Sequence, residues 1–277
     1  MCKITGMPRR LVERELMSAL NWKRKIGALA GVMPVASPRK VILLYHSLGP
    51  NPPAVTIARF REQLSWLAAN ARLLSLDALL ASAGNDALQV AFTFDDGYMS
   101  LHDKVAPLLQ QYAASATVYL NTGQIDENTR RSSDTALGHY PNEQFLTWPE
   151  VQALATAGWC IGSHGVEHLD LTAATTVVAT AQLAQSKQEI AARTGRACQH
   201  FAYTWGRYNP ALQQHVRAAG YLSAASGLHG PLKVDADLYA LPRIDVRAEY
   251  ELRDFVAAVS GQWDYLGYKQ RLWRALA

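Results

Sequence analysis

The chain lacks both a disulfide framework and a membrane-spanning run. Its three cysteines, Cys2, Cys160 and Cys198, are odd in number and follow no metal-type spacing. That excludes the stapled architecture of small secreted domains and the cysteine-rich zinc modules. Cys160 and Cys198 fall in apolar, strand-like stretches and read as small buried hydrophobes. The apolar segment 26–36 is far shorter than the roughly 20 residues needed to cross a bilayer. Internal repeats and low-complexity segments are also missing. With 49% apolar and 18% charged residues in 277, the composition is that of one large domain with a substantial core.

A basic excess is likewise missing from most of the chain, although the net charge is +4. Residues 1–40 hold nine of the 27 Lys/Arg and two of the 23 Asp/Glu, a net of +7. The other 237 residues hold 18 and 21, a net of −3. A mildly acidic body argues against nucleic acid as a partner. The leader reads as a basic amphipathic helix over 8–30, with Val12, Leu16, Ala19, Trp22 and Ile26 at helical spacing. It is expected either to pack on the body or to associate peripherally with an anionic leaflet. An export signal is the third alternative. The division expected is a segment 1–39 followed by a catalytic unit 40–277, with core motifs in 41–246 and C-terminal helices in 250–277. The expected location is the cytoplasm, at the membrane if the leader binds there.

From Lys40 onward strand and helix patterns alternate. Strands are expected at Val41–Tyr45, Val90–Phe94, Ala116–Leu120, Trp159–Gly162, His200–Tyr203, Tyr221–Ala225 and Ala240–Val246. Helices are expected at Ile57–Asn70, Ser100–Ala113, Trp148–Ala157, Thr172–Arg193 and Pro210–Ala219. The strands are continuously apolar, which implies a buried parallel sheet and an α/β fold, a distorted (β/α) barrel of about seven parallel strands. The polar stretch 122–147 reads as a long loop beside the barrel mouth.

Two motifs carry chemistry. In Phe92-Thr93-Phe94-Asp95-Asp96-Gly97-Tyr98 an apolar strand ends in two carboxylates and a glycine, where a turn lets both face the strands' C-terminal rim. The alternative is an Asp-Asp-Gly turn that merely caps the next helix. In Ser163-His164-Gly165-Val166-Glu167-His168 two histidines four apart follow another strand. One Asp and two His form a ligand set with open positions, which suits a catalytic divalent metal.

These motifs, with Tyr45-His46 after the first strand, Phe201-Ala202-Tyr203-Thr204-Trp205-Gly206 and Leu241-Pro242-Arg243-Ile244-Asp245-Val246, resemble the polysaccharide deacetylase family, also called NodB-homology or carbohydrate esterase family 4. The resemblance covers about 40–246, in the branch with a Tyr-His pair on the first strand. It implies Asp95 as general base, and Asp96, His164 and His168 as ligands of a divalent ion, usually zinc. It implies His46 or His229 as the acid that protonates the leaving amine, with His46 favoured because it ends a strand at the rim. The pattern departs at Ala202, where relatives have Arg, and at Thr204, where they have Pro. The first change leaves Asp95 in need of another cation, for which Arg243, with Asp245, is the candidate. The second puts an oxyanion donor from the Trp205 N–H in doubt. Tyr98, Trp205 and Tyr203 are candidate sugar-stacking residues. Trp148 is equally a core residue. The expected activity is metal-dependent removal of N-acetyl groups from a polysaccharide or a lipid-linked precursor. The alternatives are an O-acetyl esterase and a glycan-binding homologue that has lost catalysis.

Overall fold

The computed structural model describes residues 9–30, 38–50, 52–83 and 87–276. Cys2, residues 31–36 of the apolar leader segment, and the side chains of Val12 and Leu16 lie outside the described residues. Strands are β1 (Arg39–Tyr45), β2 (Ala71–Leu73), β3 (Leu88–Phe94), β4 (Ala116–Leu120), β5 (Cys160–Ser163), β6 (His200–Ala202), β7 (Ser223–Ala225) and β8 (Ile244–Asp245). They form one sheet in the order β7-β6-β5-β4-β3-β1-β8, with the short β2 beside the start of β3. Every ladder is parallel. The sheet curls until its edges meet. Leu241, just before β8, donates to the Ala224 carbonyl and accepts from Ser226 N–H, both at 2.9 Å. The α/β fold is therefore a distorted barrel built from seven parallel strands in sequence around its wall.

Strand periodicity divides the core in two. Ile42, Ala91, Tyr119, Ala202, Ala225 and Leu241 cluster inside the barrel. Val41, Leu43, Tyr45, Val90, Phe92, Phe94, Val118 and Leu120 belong to the larger cluster under the helices. Because successive side chains alternate, the same parity that turns Ile42 and Ala91 inward also sends His46 and Asp95 toward the interior axis at the strand ends.

Helices α1 (Arg9–Ala30), α2 (Ile57–Asn70), α3 (Leu76–Ala81), α4 (Ala106–Gln110), α5 (Trp148–Thr156), α6 (Thr176–Thr194), α7 (Pro210–Ala218), α8 (Leu252–Val259) and α9 (Tyr265–Leu276) complete the described chain. Their starts are chemically marked. Thr147 and Glu150 form a capping box for α5, and Thr175 and Asn209 cap α6 and α7 with their side-chain oxygens. Among the described residues, no helix is long and apolar enough to cross a membrane.

Several expectations need correction. The helix expected over Ser100–Ala113 begins as a wide turn, Leu101–Val105, before α4. Pro107 lacks an N–H, so an unbroken ladder is impossible there. The strand expected over Ala240–Val246 shrinks to two residues, because Pro242 interrupts it. Strand β2 and helix α3 were not foreseen. Leu76 and Leu79 of α3 pack with the barrel-interior residues and close the strand-start end.

The leader helix is docked. Leu20 is buried in the main core, and Lys23 donates to the Tyr250 hydroxyl at 2.9 Å. Arg24 makes a bidentate pair with Asp254 at 2.7 and 2.6 Å.

Candidate active site

At the C-terminal end of β3 the chain turns sharply. Asp95 stays in register, its N–H donating to the Tyr45 carbonyl at 3.0 Å. Asp96 then takes φ +74 and Gly97 φ +81. A left-handed aspartate costs on the order of 1–3 kcal/mol unless its surroundings hold it. The turn swings the second carboxylate to the rim beside the first instead of to the opposite face of the sheet.

Asp95 is gripped by Arg243, whose Nη1 and Nη2 donate to its two oxygens at 2.7 and 2.8 Å. Both side chains are buried. Arg243 Nε also donates to the Ser226 carbonyl at 3.1 Å, which fixes the guanidinium plane. Burial by itself would raise the Asp95 carboxyl. The Arg243 charge, helped by the nearby His164, outweighs it and holds the group at about 2. The cation that relatives place at position 202 is thus supplied by Arg243, from the far edge of the sheet. Asp245 does not share in it, and pairs with Arg247 at 2.9 Å.

Asp96 is arranged differently. Its Oδ1 lies 3.6 Å from His164 Nε2 and 3.6 Å from His168 Nε2, and is buried without a hydrogen-bond partner. His164 donates through Nδ1–H to the Ala202 carbonyl at 2.7 Å, and His168 through Nδ1–H to the Leu137 carbonyl at 2.6 Å. Each tether fixes the tautomer that leaves the Nε2 lone pair facing Asp96. Burial pushes the His164 ring down to about 4, so at neutral pH it is an uncharged donor. Donor atoms on one tetrahedral zinc stand roughly 3.3 Å apart, close to the spacing found here.

Two other groups of metal-ligating side chains occur among the described residues. Asp77, Cys160 and His200 sit at the strand starts, where Asp77 Oδ1 meets His200 Nε2 directly at 2.8 Å and His200 Nδ1 meets Ser223 Oγ at 2.8 Å. His102, Asp103 and Glu150 are already bridged by Arg130, which bonds both carboxylates. The gap of 3.6 Å, with an orphaned oxygen facing two lone pairs, belongs to the rim set.

His46 also reaches the rim and contributes to the electrostatic environment of both carboxylates. Its ring stacks on Tyr140, with centroids 5.1 Å apart. His229 does not join the site. It is buried beside the C-terminal helices, where its backbone N–H donates to Gln270 Oε1 at 2.6 Å. Burial lowers its imidazole to about 4.

The sugar-stacking expectation needs correction for two residues. Tyr98 and Tyr203 are both 0% exposed. The Tyr98 hydroxyl accepts from Tyr140 N–H at 2.7 Å and hydrogen-bonds the Asp96 side chain, and the Tyr203 hydroxyl donates to the Tyr239 carbonyl at 2.9 Å, so neither ring offers a face to a sugar. Trp148 is likewise buried. Trp205 is 38% exposed, its ring 4.8 Å from that of His168. Its backbone has φ +59, in a turn held by Gly206 N–H to the Tyr203 carbonyl at 2.8 Å. The Thr204 hydroxyl bonds the Leu169 carbonyl, so a side-chain hydrogen bond anchors the turn where relatives have Pro.

The loop before α5 contributes more than the sequence suggested. Leu137 tethers His168, Gly138 lies under Trp205, His139 packs against His168 with centroids 5.1 Å apart, and Tyr140 covers His46. The one signal in the sequence was a glycine followed by two aromatic residues within an otherwise polar stretch.

A curled parallel sheet thus carries, at the strands' C-terminal rim, an ionised carboxylate gripped by an arginine, an adjoining Asp-His-His set and an imidazole, an arrangement able to do hydrolytic chemistry. The comparisons agree with it. The polysaccharide deacetylase family model matches residues 83–224, about half of the chain, and the chain belongs to that family. The match contains Asp95, Asp96, His164 and His168, but neither His46 nor Arg243. The chain is 25% identical over 247 residues to YxkH of Bacillus subtilis (strain 168), which carries the name of a polysaccharide deacetylase, covering 87% of this chain and 83% of that one. Among solved structures it resembles the deacetylase PplD of Streptococcus pyogenes in complex with acetate (TM-score 0.67, 24% identity, 82% of this chain and 99% of that one). It also resembles BC0361, a polysaccharide deacetylase from Bacillus cereus (TM-score 0.67, 19% identity, 80% and 69%). At these identities the structural likeness speaks for the fold.

Proposed function

We propose that the chain is a zinc-dependent hydrolase that removes N-acetyl groups from a glycan or glycan precursor, giving acetate and a free amino sugar. The observation that carries this reading is the orphaned Asp96 Oδ1 facing the Nε2 atoms of His164 and His168 at 3.6 Å. One oxygen and two imidazole nitrogens suit zinc or a similar transition ion. Bound there, such an ion supplies Lewis acidity toward a carbonyl and lowers the pKa of water toward ~7. Asp95, kept ionised and oriented by Arg243, accepts the proton of the attacking water. His46 gives a proton to the departing nitrogen. The same residues can hydrolyse an ester, but an alcohol leaves far more readily than an amine, so an acid at the rim favours the amide. Trp205 is the exposed ring on which a sugar face can lie.

Bound metal per chain, measured by elemental analysis without chelators, tests the centre. Wild type is expected to hold close to one equivalent and His164→Ala/His168→Ala none. Asp95→Asn is expected to keep the metal and lose about 10²–10⁴-fold in kcat. Wild type that neither carries nor takes up metal would sink the reading. Acetate release from N-acetyl against O-acetyl oligosaccharides separates amidase from esterase.

We further take 40–277 as the catalytic unit, with 1–39 as a basic segment that brings it to the cytoplasmic face of an anionic membrane and a lipid-linked substrate. Support comes from the +7 charge of residues 1–40 and from Trp22, exposed on α1 with Lys25 one turn on. Trp22→Ser/Lys25→Ser is expected to weaken sedimentation with phosphatidylserine vesicles several-fold and leave acetate release in solution unchanged. Equal sedimentation of both proteins would remove the membrane from the account.

A further inference from the structure

The site histidines are fixed in two different ways. His164 and His168 are each tied through Nδ1 to a backbone carbonyl. His46 has no such tether, for its Nδ1 is buried without a hydrogen-bond partner. What meets this ring is a face: Tyr140 lies parallel to it, with centroids 5.1 Å and planes 25° apart.

Tyr140 is itself held firmly. Its N–H donates to the Tyr98 hydroxyl at 2.7 Å, and its ring stacks on Tyr98 with centroids 5.7 Å apart. Tyr98 stacks in turn on Phe145 at 5.3 Å. Backbone bonds from Met99 N–H to the Gln144 carbonyl, at 2.8 Å, and from Leu146 N–H to the Gly97 carbonyl, at 2.9 Å, pin this loop to the turn that carries Asp96. The plane of His46 is therefore referred, through packed rings, to the same turn that sets the two carboxylates.

We propose that Tyr140 is a positioning residue for proton delivery: its ring face holds His46 in the plane from which it protonates the leaving nitrogen. The inference rests on the reading of His46 as the acid. An imidazole gives up its proton along an N–H bond lying in the ring plane, so a ring free to tilt is aligned less often. In the collapse of the tetrahedral intermediate, the C–N bond breaks as the proton passes from His46 to nitrogen. The electron pair of that bond stays on the nitrogen, which departs as a neutral amine. Without the proton, collapse returns to the amide by expelling the attacking oxygen. An aryl ester differs, because its phenolate leaves without being protonated.

That difference gives the test. Metal-loaded full-length wild type, Tyr140→Phe and Tyr140→Leu are assayed on an oligosaccharide of N-acetylglucosamine and on 4-nitrophenyl acetate. Tyr140→Leu is expected to lower kcat on the oligosaccharide by about 10–100-fold, with KM, bound metal and ester hydrolysis within about two-fold of wild type. Tyr140→Phe, which keeps the stack, is expected to match wild type. Equal slowing of both substrates, or loss of metal from Tyr140→Leu, overturns the proposal in favour of a purely structural tyrosine. An unchanged kcat on the oligosaccharide overturns it as well. Wild type that cleaves the ester and releases no acetate from the oligosaccharide overturns the amide reading itself, and the role of Tyr140 with it.

Discussion

Arg243 and Asp95 form a fully buried, bidentate ion pair, and such a pair does most for a protein when neither partner can be removed alone. Arg243→Met leaves a carboxylate buried without its counter-charge, at a cost of about 3–5 kcal/mol. The expected result is a lower urea midpoint at unchanged slope, with activity lost because the base is no longer held ionised. His229 shows the opposite electrostatic situation. Burial keeps its imidazole neutral down to about 4, whereas in the unfolded chain it takes a proton at the ordinary histidine value of about 6.5. Between those values the folded state binds fewer protons, so stability falls as pH drops from about 6.5 to about 4. His229→Leu is expected to remove a share of that fall, at most about 3 kcal/mol, seen as a flatter Tm against pH. Acetate release should be untouched, which separates His229 from His46.

At the scale of elements, the loop between β4 and α5 acts as a wall of the site. Gly138 has φ +85, and a Cβ there would stand 1.7 Å from Trp205 Cη2. Gly138→Ala must displace Trp205 and the neighbouring Leu137 carbonyl that orients His168. Metal affinity is expected to fall about 10–100-fold by competition titration, as when a partner of a metal ligand is lost. The sequence announced much of the strand framework, because buried parallel strands are continuous apolar runs. It also announced both rim motifs, because their residues are local. It was silent on β2 and α3, which are too short to show a period. It misplaced Tyr98 and Tyr203 at the surface, since a tyrosine near a strand end reads the same whether its face is covered or open. The cover over Tyr98, residues 138–145, comes from some 40 positions later, and no local pattern reports such a contact.

At the scale of the whole molecule, the site draws on the first and the last strands of the sheet. β1 delivers His46, β3 the two carboxylates, β5 His164, and the lead-in to β8 Arg243. Residues 241–243 also join the sheet's two edges, Leu241 to β7 and Arg243 N–H to the Leu228 carbonyl at 2.7 Å. The order of synthesis therefore matters. A chain growing on the ribosome has made Asp96, His164 and His168 once residue 168 is out of the exit tunnel. The Ala202 carbonyl that orients His164 follows 34 residues later, and the arginine that pairs with Asp95 follows 75 residues later. Nascent chains arrested before residue 202 are expected to hold metal more weakly than the full chain, and those arrested before residue 243 to release no acetate, measured on stalled ribosome complexes.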